Sequence, residues 1–446
     1  MKFYNRKREL TLIRSFMQKR NRAHIIVITG RRRIGKTRLV LEAVGDKGIY
    51  LFAKNKTFPE LLNDWTEELA KKFKIYGKFE NFEQFLDFLF SKAKNTPITV
   101  IFDEVQRLYS IFPESFSTIQ KVYDTQKETS KILIIFTGSA YTLMEKIFKD
   151  SKEPLFGRAS EIMQLSYLPV KALEEILRDF NLFSGENLLH LFSIFDGIPY
   201  YIEELVETGR KSFKSALKEL IVSRDLLWEE GENLLKTEMG KEYTAYFSIL
   251  SAIAKGRKTR NEIVHYTGIK EPGAYLNALE KTYRIIERKV VVTKGKKSKI
   301  SRYYFRDNFL DFWFRFIERY SSYRELGLRE KAFEKIWEEL PEFEGKKLEK
   351  LVLRKIIEEN PLDLEFTKAG SYWDRKGQME VDLLLINEEK KIAYAFEIKR
   401  NKNKISKKRL LFLSRLNETI GELRGFKIIP GAAWIEPEGL QMKIFQ

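Results

Sequence analysis

Gly30-Arg31-Arg32-Arg33-Ile34-Gly35-Lys36-Thr37 is the stretch whose reading decides the fold of this 446-residue chain. It fits the pattern G-x-x-x-x-G-K-[ST] at every fixed position. The two glycines let the backbone bend closely enough for its N–H groups to face an anion. Lys36 has the reach for terminal phosphates, and the Thr37 hydroxyl suits a Mg2+ ion. The loop residues Arg31, Arg32, Arg33 and Ile34, with Arg38 just beyond, complete the predicted nucleotide cradle. The flanks have the required character. His24-Ile25-Ile26-Val27-Ile28-Thr29 is a β-branched run that predicts a buried strand. Thr37 to Val44 predicts the helix whose N-terminus holds the anion.

Further along, Pro97-Ile98-Thr99-Val100-Ile101-Phe102-Asp103-Glu104 predicts a second buried strand, ending in two carboxylates. Asp103 is expected to hold the Mg2+ shell through Thr37 and water. Glu104 is expected to orient or deprotonate the attacking water. Lys131 to Ser139 predicts a third strand whose small hydroxyl residues, Ser139 among them, sense a γ-phosphate. The alternative there is an ordinary turn. A shorter strand is expected over 48–53 and a helix from Glu83 to Lys94. Strands alternating with helices imply an α/β, doubly wound parallel sheet with nucleotide at the strand C-termini.

Composition narrows the field. Lys and Arg outnumber Asp and Glu by 81 to 63, giving a formal net charge of +18. That balance favours an anionic partner, DNA ahead of a membrane surface or an acidic protein. A generally lysine-rich surface, as in heat-adapted proteins, is the bland alternative. Cysteine is absent and there are only three histidines, which excludes disulfides and argues against a zinc enzyme. The N-terminus lacks an apolar signal core, and no apolar stretch approaches the length of a membrane span. A cytoplasmic location without membrane contact is the expectation.

Residues 243–305 have the pattern of a winged helix. Tyr243–Ala254 is an apolar helix, Thr259 is a candidate N-cap for a second, and Gly268 separates a third from roughly Pro272 to Thr282. Two strands follow, Arg288–Thr293 and Ile300–Phe305. The turn between them, Lys294 to Lys299, has four lysines in six residues. A basic tip beside a helix-turn-helix suits backbone phosphates; a module that only docks a partner is the alternative. The aromatic run Phe309 to Phe316 reads as packed core.

Near the C-terminus, Val381–Ile386 and Lys391–Lys399 predict two strands joined by Asn387 to Lys390. A hairpin centred near Glu389 sets Asp382 opposite Glu397, with Lys399 on the same face two residues on. Two adjacent acids repel, so the site calls for a cation. Asp382 and Glu397 then serve as Mg2+ ligands, and Lys399 positions water or stabilises the charged phosphorus centre. Such a strand lysine is otherwise a solvated edge. From Lys399 to Arg409 seven bases and no acid fall in eleven residues, either a nucleic-acid groove or a solvated helix end.

Two resemblances gather these signals. Phe3-Tyr4-Asn5-Arg6 with Glu9-Leu10, Pro154-Leu155-Phe156-Gly157-Arg158 and Gly197-Ile198-Pro199-Tyr200-Tyr201 resemble the archaeal P-loop ATPases of the AAA+/STAND type. The usual acid after the arginine is Lys7 here. The resemblance implies that Asn5 and Arg6 lie near the adenine of ATP. It makes Arg158 a candidate finger for the γ-phosphate, with an ordinary surface arginine as the alternative, and it implies a helical lid. Asp382, Glu397, Ile398 and Lys399 resemble the restriction-endonuclease-like D…(D/E)-x-K nucleases. Members of that group often add a helical glutamate, for which Glu349 is the best match and Glu344 the second. The Trp373-Asp374-Arg375-Lys376-Gly377 loop supports the same resemblance.

The expected division is an ATPase core over 1–160, a helical lid over 161–240, a winged helix over 241–310, a helical linker over 311–340 and a nuclease-like domain over 341–446. Two functions fit. One is an ATP-regulated, DNA-binding, metal-dependent nuclease. The other is a signalling switch in which ATP drives homo-oligomer assembly and the C-terminal fold only binds.

Overall fold

The computed structural model describes the chain except residues 20, 76, 140, 295–300, 375–378 and 446 and the side chains of 141, 142 and 241. The basic turn centred on 295–299 and most of the 373–377 loop therefore lie outside the described residues. The chain forms two compact units, residues 2–167 and residues 168–446, the second joined by Met1.

In the first unit the elements run α1 (Lys7–Gln18), β1 (His24–Thr29), α2 (Lys36–Val44), β2 (Gly48–Phe52), α3 (Phe58–Phe73), α4 (Phe82–Asn95), β3 (Ile98–Asp103), α5 (Leu108–Ile111), α6 (Ser115–Gln126), β4 (Ile132–Gly138), α7 (Tyr141–Lys149) and β5 (Glu161–Gln164). The sheet order is β2-β3-β4-β1-β5, with every pair parallel. All residues of β1, β3 and β4 are buried, as the unbroken apolar runs require. Side chains alternate between faces. Ile25, Val27, Val100, Phe102, Ile134 and Phe136 join one core with α3, α4 and α6. Ile26, Ile28, Ile101 and Ile135 join the other with α1 and α2. Parallel strands fed by helices bring the C-terminal ends of β1, β3 and β4 to one edge, where the loop of 30–37 lies.

β5 corrects the expected lid boundary. Residues 161–164 are the fifth strand of this sheet, paired with β1, and the unit closes at residue 167. The strand is short and only one of its four residues is buried, so it carries no apolar signature.

The second unit opens with α8 (Val170–Asp179), α9 (Gly185–Phe195), α10 (Pro199–Val206), α11 (Phe213–Lys218) and α12 (Leu226–Met239). Then come α13 (Tyr243–Ala254), α14 (Arg260–Thr267) and α15 (Gly273–Asn277), followed by an antiparallel ribbon of β6 (Ile286–Val290) and β7 (Ser301–Phe305). Thr259 caps α14 in a reciprocal pair with Glu262, and Gly268 ends that helix at φ 71°. α16 (Asn308–Phe312), α17 (Ser321–Glu325) and α18 (Arg329–Glu359) follow. Phe309, Phe312, Trp313, Phe314 and Phe316 are buried, so this aromatic run is core. α18 continues through Pro341 for 31 residues, and the expected boundary at 340/341 therefore falls inside one helix.

The last elements are β8 (Lys368–Trp373), β9 (Glu380–Asn387), β10 (Ile392–Ile398), α19 (Lys407–Ser414), α20 (Leu416–Thr419), β11 (Lys427–Glu436) and β12 (Gly439–Ile444). They form a mixed sheet in the order β12-β11-β10-β9-β8. Only β10 and β11 run parallel; the other neighbours are antiparallel. α19 and α20 cover one face, packing Leu413 and Leu416 on Val381, Leu384, Ala393 and Ala395. Among the described residues no helix is long and apolar enough to cross a membrane.

Candidate nucleotide and carboxylate sites

The loop after β1 ends at Gly35, whose φ of 89° is a left-handed conformation that glycine adopts without penalty. A side chain at Gly30 would bring its Cβ to 2.9 Å from the Leu165 carbonyl oxygen. Both glycines are thus needed for the bend. Gly35, the N-cap of α2, has no side chain to occupy the helix's first N–H groups, which leaves them available to an anion. Lys36 is buried, and its ammonium donates to the Gly30 and Arg31 carbonyls at 2.9 and 3.0 Å. The charge is therefore held by the loop's own carbonyls.

Asp103, at the end of β3, is 1% exposed. Its Oδ2 accepts from the Thr37 hydroxyl at 2.7 Å and from the Tyr50 hydroxyl at 2.6 Å. Its Oδ1 accepts from the Thr137 hydroxyl and, at 3.0 Å, from the Glu104 N–H. Burial, and then the bond to Asp103, push the Tyr50 phenol well above its usual pKa. Glu104 has φ 56°, which turns its carboxylate out of the strand line. The Ser139 hydroxyl donates to it at 2.8 Å, and the Gln106 amide donates to it as well. A hydroxyl and a buried carboxylate in direct contact at the strand ends are hard oxygen donors of the kind Mg2+ takes. The residue types fit that ion.

Sequence reasoning missed Tyr50 and Gln106. Tyr50 is the middle residue of the short β2 strand, where an aromatic reads as ordinary packing, and Gln106 lies in a turn after Glu104 with no pattern of its own. Asn5 and Arg6 take consecutive left-handed conformations. The buried Arg6 guanidinium contacts Glu9 at 3.2 Å and donates to the Ser166 carbonyl, tying the chain start to the segment after β5. Arg158 holds Asp124 in a two-pronged pair at 2.6 and 3.0 Å and also donates to the Pro154 and Phe156 carbonyls. Its contacts are those of an anchored arginine, and a finger role would require it to leave Asp124.

In the second unit the hairpin register runs as far as Phe396 with Leu383, which brings Glu397 and Asp382, one residue further on each strand, side by side at its end. The Lys399 ammonium lies 3.2 Å from Asp382 Oδ2, 2.9 Å from Glu397 Oε1 and 3.2 Å from the Ile398 carbonyl oxygen. Asp382 also accepts the Ile398 N–H at 2.9 Å. Three oxygens thus converge on one positive charge. Arg409 Nε donates to Glu397 Oε2 at 3.0 Å. Burial, and then the hydrogen bond and charge of the Glu397 and Asp382 carboxylates acting in opposition, set the Lys399 pKa, with a net rise. Hard oxygens gathered around a cation fit Mg2+, which binds through one or two carboxylates and keeps several waters.

The two helical glutamates part ways. Glu344 is fully buried, paired with His190 at 2.5 Å and with Arg400 at 2.7 Å, which holds both of its oxygens away from solvent. Glu349 bonds Lys346 at 3.0 Å. Burial raises its pKa to about 7, against the pull of Lys346 and with a push from nearby Asp382. Among the described residues no three acids or histidines are gathered to hold a metal. Glu349 neighbours the Asp382–Glu397 pair closely enough to feel the Asp382 charge.

Residues 3–205 match the model of an ATPase domain predominantly from Archaea. Residues 313–410 match a family described as Archaea bacterial proteins of unknown function. Uncharacterized protein MJECL04 of Methanocaldococcus jannaschii is 32% identical over 404 residues, spanning 89% of this chain and 87% of that protein. Among solved structures, the Walker-type ATPase PABY2304 of Pyrococcus abyssi aligns with a TM-score of 0.53 at 20% identity, covering 70% of this chain and 96% of its own. The ORC2 protein of Aeropyrum pernix, solved as ADPNP-ADP complexes, aligns at 0.50 and 14% identity, covering 73% and 96%. At these identities the two structures speak to the fold.

Proposed function

We infer the function from this premise: the chain belongs to the family of ATPases found predominantly in Archaea, and it is an ATPase. The finer reading is an ATP-regulated, DNA-binding protein whose second unit carries a metal-dependent nuclease centre. The observation that carries it is the convergence of Asp382, Glu397 and the Ile398 carbonyl on Lys399.

At the nucleotide end, the α2 N-terminus and Lys36 take the phosphates, and Lys36 exchanges its loop carbonyls for phosphate oxygens. Thr37 and Asp103 are the residues that would hold Mg2+, which supplies charge neutralisation when bound. Glu104 accepts a proton from the attacking water, and Ser139 and Gln106 fix the carboxylate that does so. The resemblance leaves Arg158 as a finger only after its exchange from Asp124. At the far end, Asp382, Glu397 and the Ile398 carbonyl are the groups that would hold Mg2+, which supplies Lewis-acid polarisation of a phosphodiester. Lys399 then positions water or stabilises charge on the phosphoryl oxygens. DNA binding through the helical module of 243–305 and the basic run of 399–409 rests on their charge.

Parallel assays of ATP hydrolysis and of DNA cleavage with Mg2+ or Mn2+ test this reading. Lys36→Ala should abolish hydrolysis, and Asp382→Ala should abolish cleavage while sparing hydrolysis. Cleavage that persists in Asp382→Ala overturns the nuclease assignment. A second reading, a signalling switch whose C-terminal fold only binds, is favoured by one contact: Arg409 on Glu397 leaves the acid pair neutralised by the chain's own cations. It expects ATP-dependent assembly without cleavage, and sedimentation of one fixed species with and without ATP speaks against it.

A further inference from the structure

The β6–β7 ribbon carries a charge arrangement that its own folding does not call for. Lys289 pairs directly with Arg302 across the ribbon. Directly opposed residues project to one face, and like charges there are destabilising. Tyr304, two residues beyond Arg302, shares that face. Its ring takes the Lys258 ammonium at 4.6 Å and the Lys289 ammonium at 5.1 Å from the centroid. Lys258 reaches there from the turn before α14, where its carbonyl accepts the Tyr303 N–H at 2.7 Å. The Arg302 guanidinium lies 5.1 Å over Trp373 at the end of β8. Of these three cations Lys289 has a carboxylate at hand, Glu287 at 3.2 Å. Among the described residues neither Lys258 nor Arg302 has an ion pair. Burial lowers the Lys258 pKa; Asp311 opposes this, and Lys346 and Arg302 add to it.

This face leads toward the carboxylate centre. The Val292 N–H donates to the Ser371 carbonyl at 3.2 Å, fastening the ribbon's end to β8. Lys346 bridges Glu380 at 2.9 Å and Glu349 at 3.0 Å. Glu380 feels the charge of Lys346, Arg302 and Lys258. It stands two residues before Asp382 on β9, on the same face and about 7 Å away along the strand. Cations on aromatic faces, with Arg302 and Lys258 close enough for their charge to reach Glu380 two residues before Asp382, suit a ligand that repeats its phosphates.

We propose that Lys258, Lys289 and Arg302 form a phosphate-binding tract that holds the backbone of DNA and leads it to the Asp382–Glu397–Lys399 centre. The inference rests on the DNA-processing reading above and adds the residues that position the substrate. Each phosphate neutralised on duplex DNA contributes about 0.9 to the slope of log affinity against log salt. The test is anisotropy of a labelled DNA duplex titrated with wild type, Lys258→Gln, Arg302→Gln and the double variant across a KCl series. The slope should fall by about 1 in each single variant and about 2 in the double. Arg302→Lys, which keeps the charge, should retain the slope, and thermal melting should match wild type throughout. In cleavage assays the double variant should raise KM with kcat unchanged.

Unchanged slope and affinity in the folded double variant overturn the tract, as does a wild type that does not bind the duplex. The two proposals fail separately. Cleavage that depends on Asp382 with a slope insensitive to Lys258 and Arg302 removes the tract alone. A slope that responds to them, with no cleavage under any divalent ion, removes the nuclease centre alone.

Discussion

Replacing Asp196 with asparagine removes the fully buried charge that holds two partly buried cations, and little else. Asp196 follows α9 with φ 55° and ψ −124°, in the segment leading to Gly197-Ile198-Pro199. Its carboxylate takes Lys350 at 3.1 Å and the Arg354 guanidinium on its other oxygen. Burial alone would raise its pKa, and Lys350 and Arg354 together hold it below the ordinary carboxylate value. Removing one partner of a buried pair costs about 3–5 kcal/mol, because the other charge is left uncompensated. Here the cations keep other acceptors. Lys350 retains the Asn308 side chain at 2.8 Å and the Arg306 carbonyl, and Arg354 retains Glu358 at 2.8 Å and the Leu168 carbonyl. The loss should therefore fall at the lower end, about 3 kcal/mol. Five of the six tryptophans, Trp228, Trp313, Trp337, Trp373 and Trp434, lie in residues 168–446. Urea unfolding followed by tryptophan fluorescence thus reports mainly on that unit. With a slope of about 3 kcal/mol/M for a unit of this size, the midpoint should drop by about 1 M. A carboxylate whose folded pKa is depressed contributes stability above its unfolded pKa and loses it as pH falls through the folded value. The gap between wild type and Asp196→Asn should thus be full at pH 7 and narrow only below about pH 4. A midpoint shift under about 0.3 M at pH 7, or a gap that widens toward acid, would refute the reasoning.

Two further outcomes concern the nucleotide site. Glu104→Gln should bind ATP as wild type does in equilibrium titration, while single-turnover phosphate release slows about 10²- to 10⁴-fold. Tyr50→Phe removes one of the donors to Asp103 and should raise the Mg2+ concentration for half-maximal hydrolysis about tenfold, with little change at saturating Mg2+; an unaltered Mg2+ dependence shows that the Tyr50 bond does not orient Asp103.

The parts of the fold that are legible in the sequence are those where one physical demand dominates. β1, β3 and β4 are buried on both faces, so each appears as an unbroken β-branched run, and the carboxylates at the end of β3 follow from its length. The α14 cap and the Gly268 stop are equally local, since a side chain or a positive φ at one position accounts for each. β5 gives no such signal, because an edge strand with a single buried residue satisfies its backbone through β1 alone. Lys350 and Arg354 appear as ordinary surface charges of a long helix until tertiary packing brings the buried Asp196 against them.

The same distinction separates the two helical glutamates. Glu344 and Glu349 are five residues apart on α18, and helical periodicity alone turns the first well away from the second. Sequence pattern favours the glutamate nearer the apolar stripe but cannot say what lies across from it. The structure supplies that missing neighbour: His190 and Arg400 claim Glu344, whereas Glu349 faces Lys346 and the field of Asp382. A fully buried carboxylate with one oxygen on His190 and the other on Arg400 offers an arriving cation no solvent-facing oxygen. One that shares a single exposed lysine and feels a second acid gains from any cation that arrives. Of the two, Glu349 is the one whose charge is coupled to Asp382, so it is the one that can alter the charge balance at the Asp382–Glu397 pair.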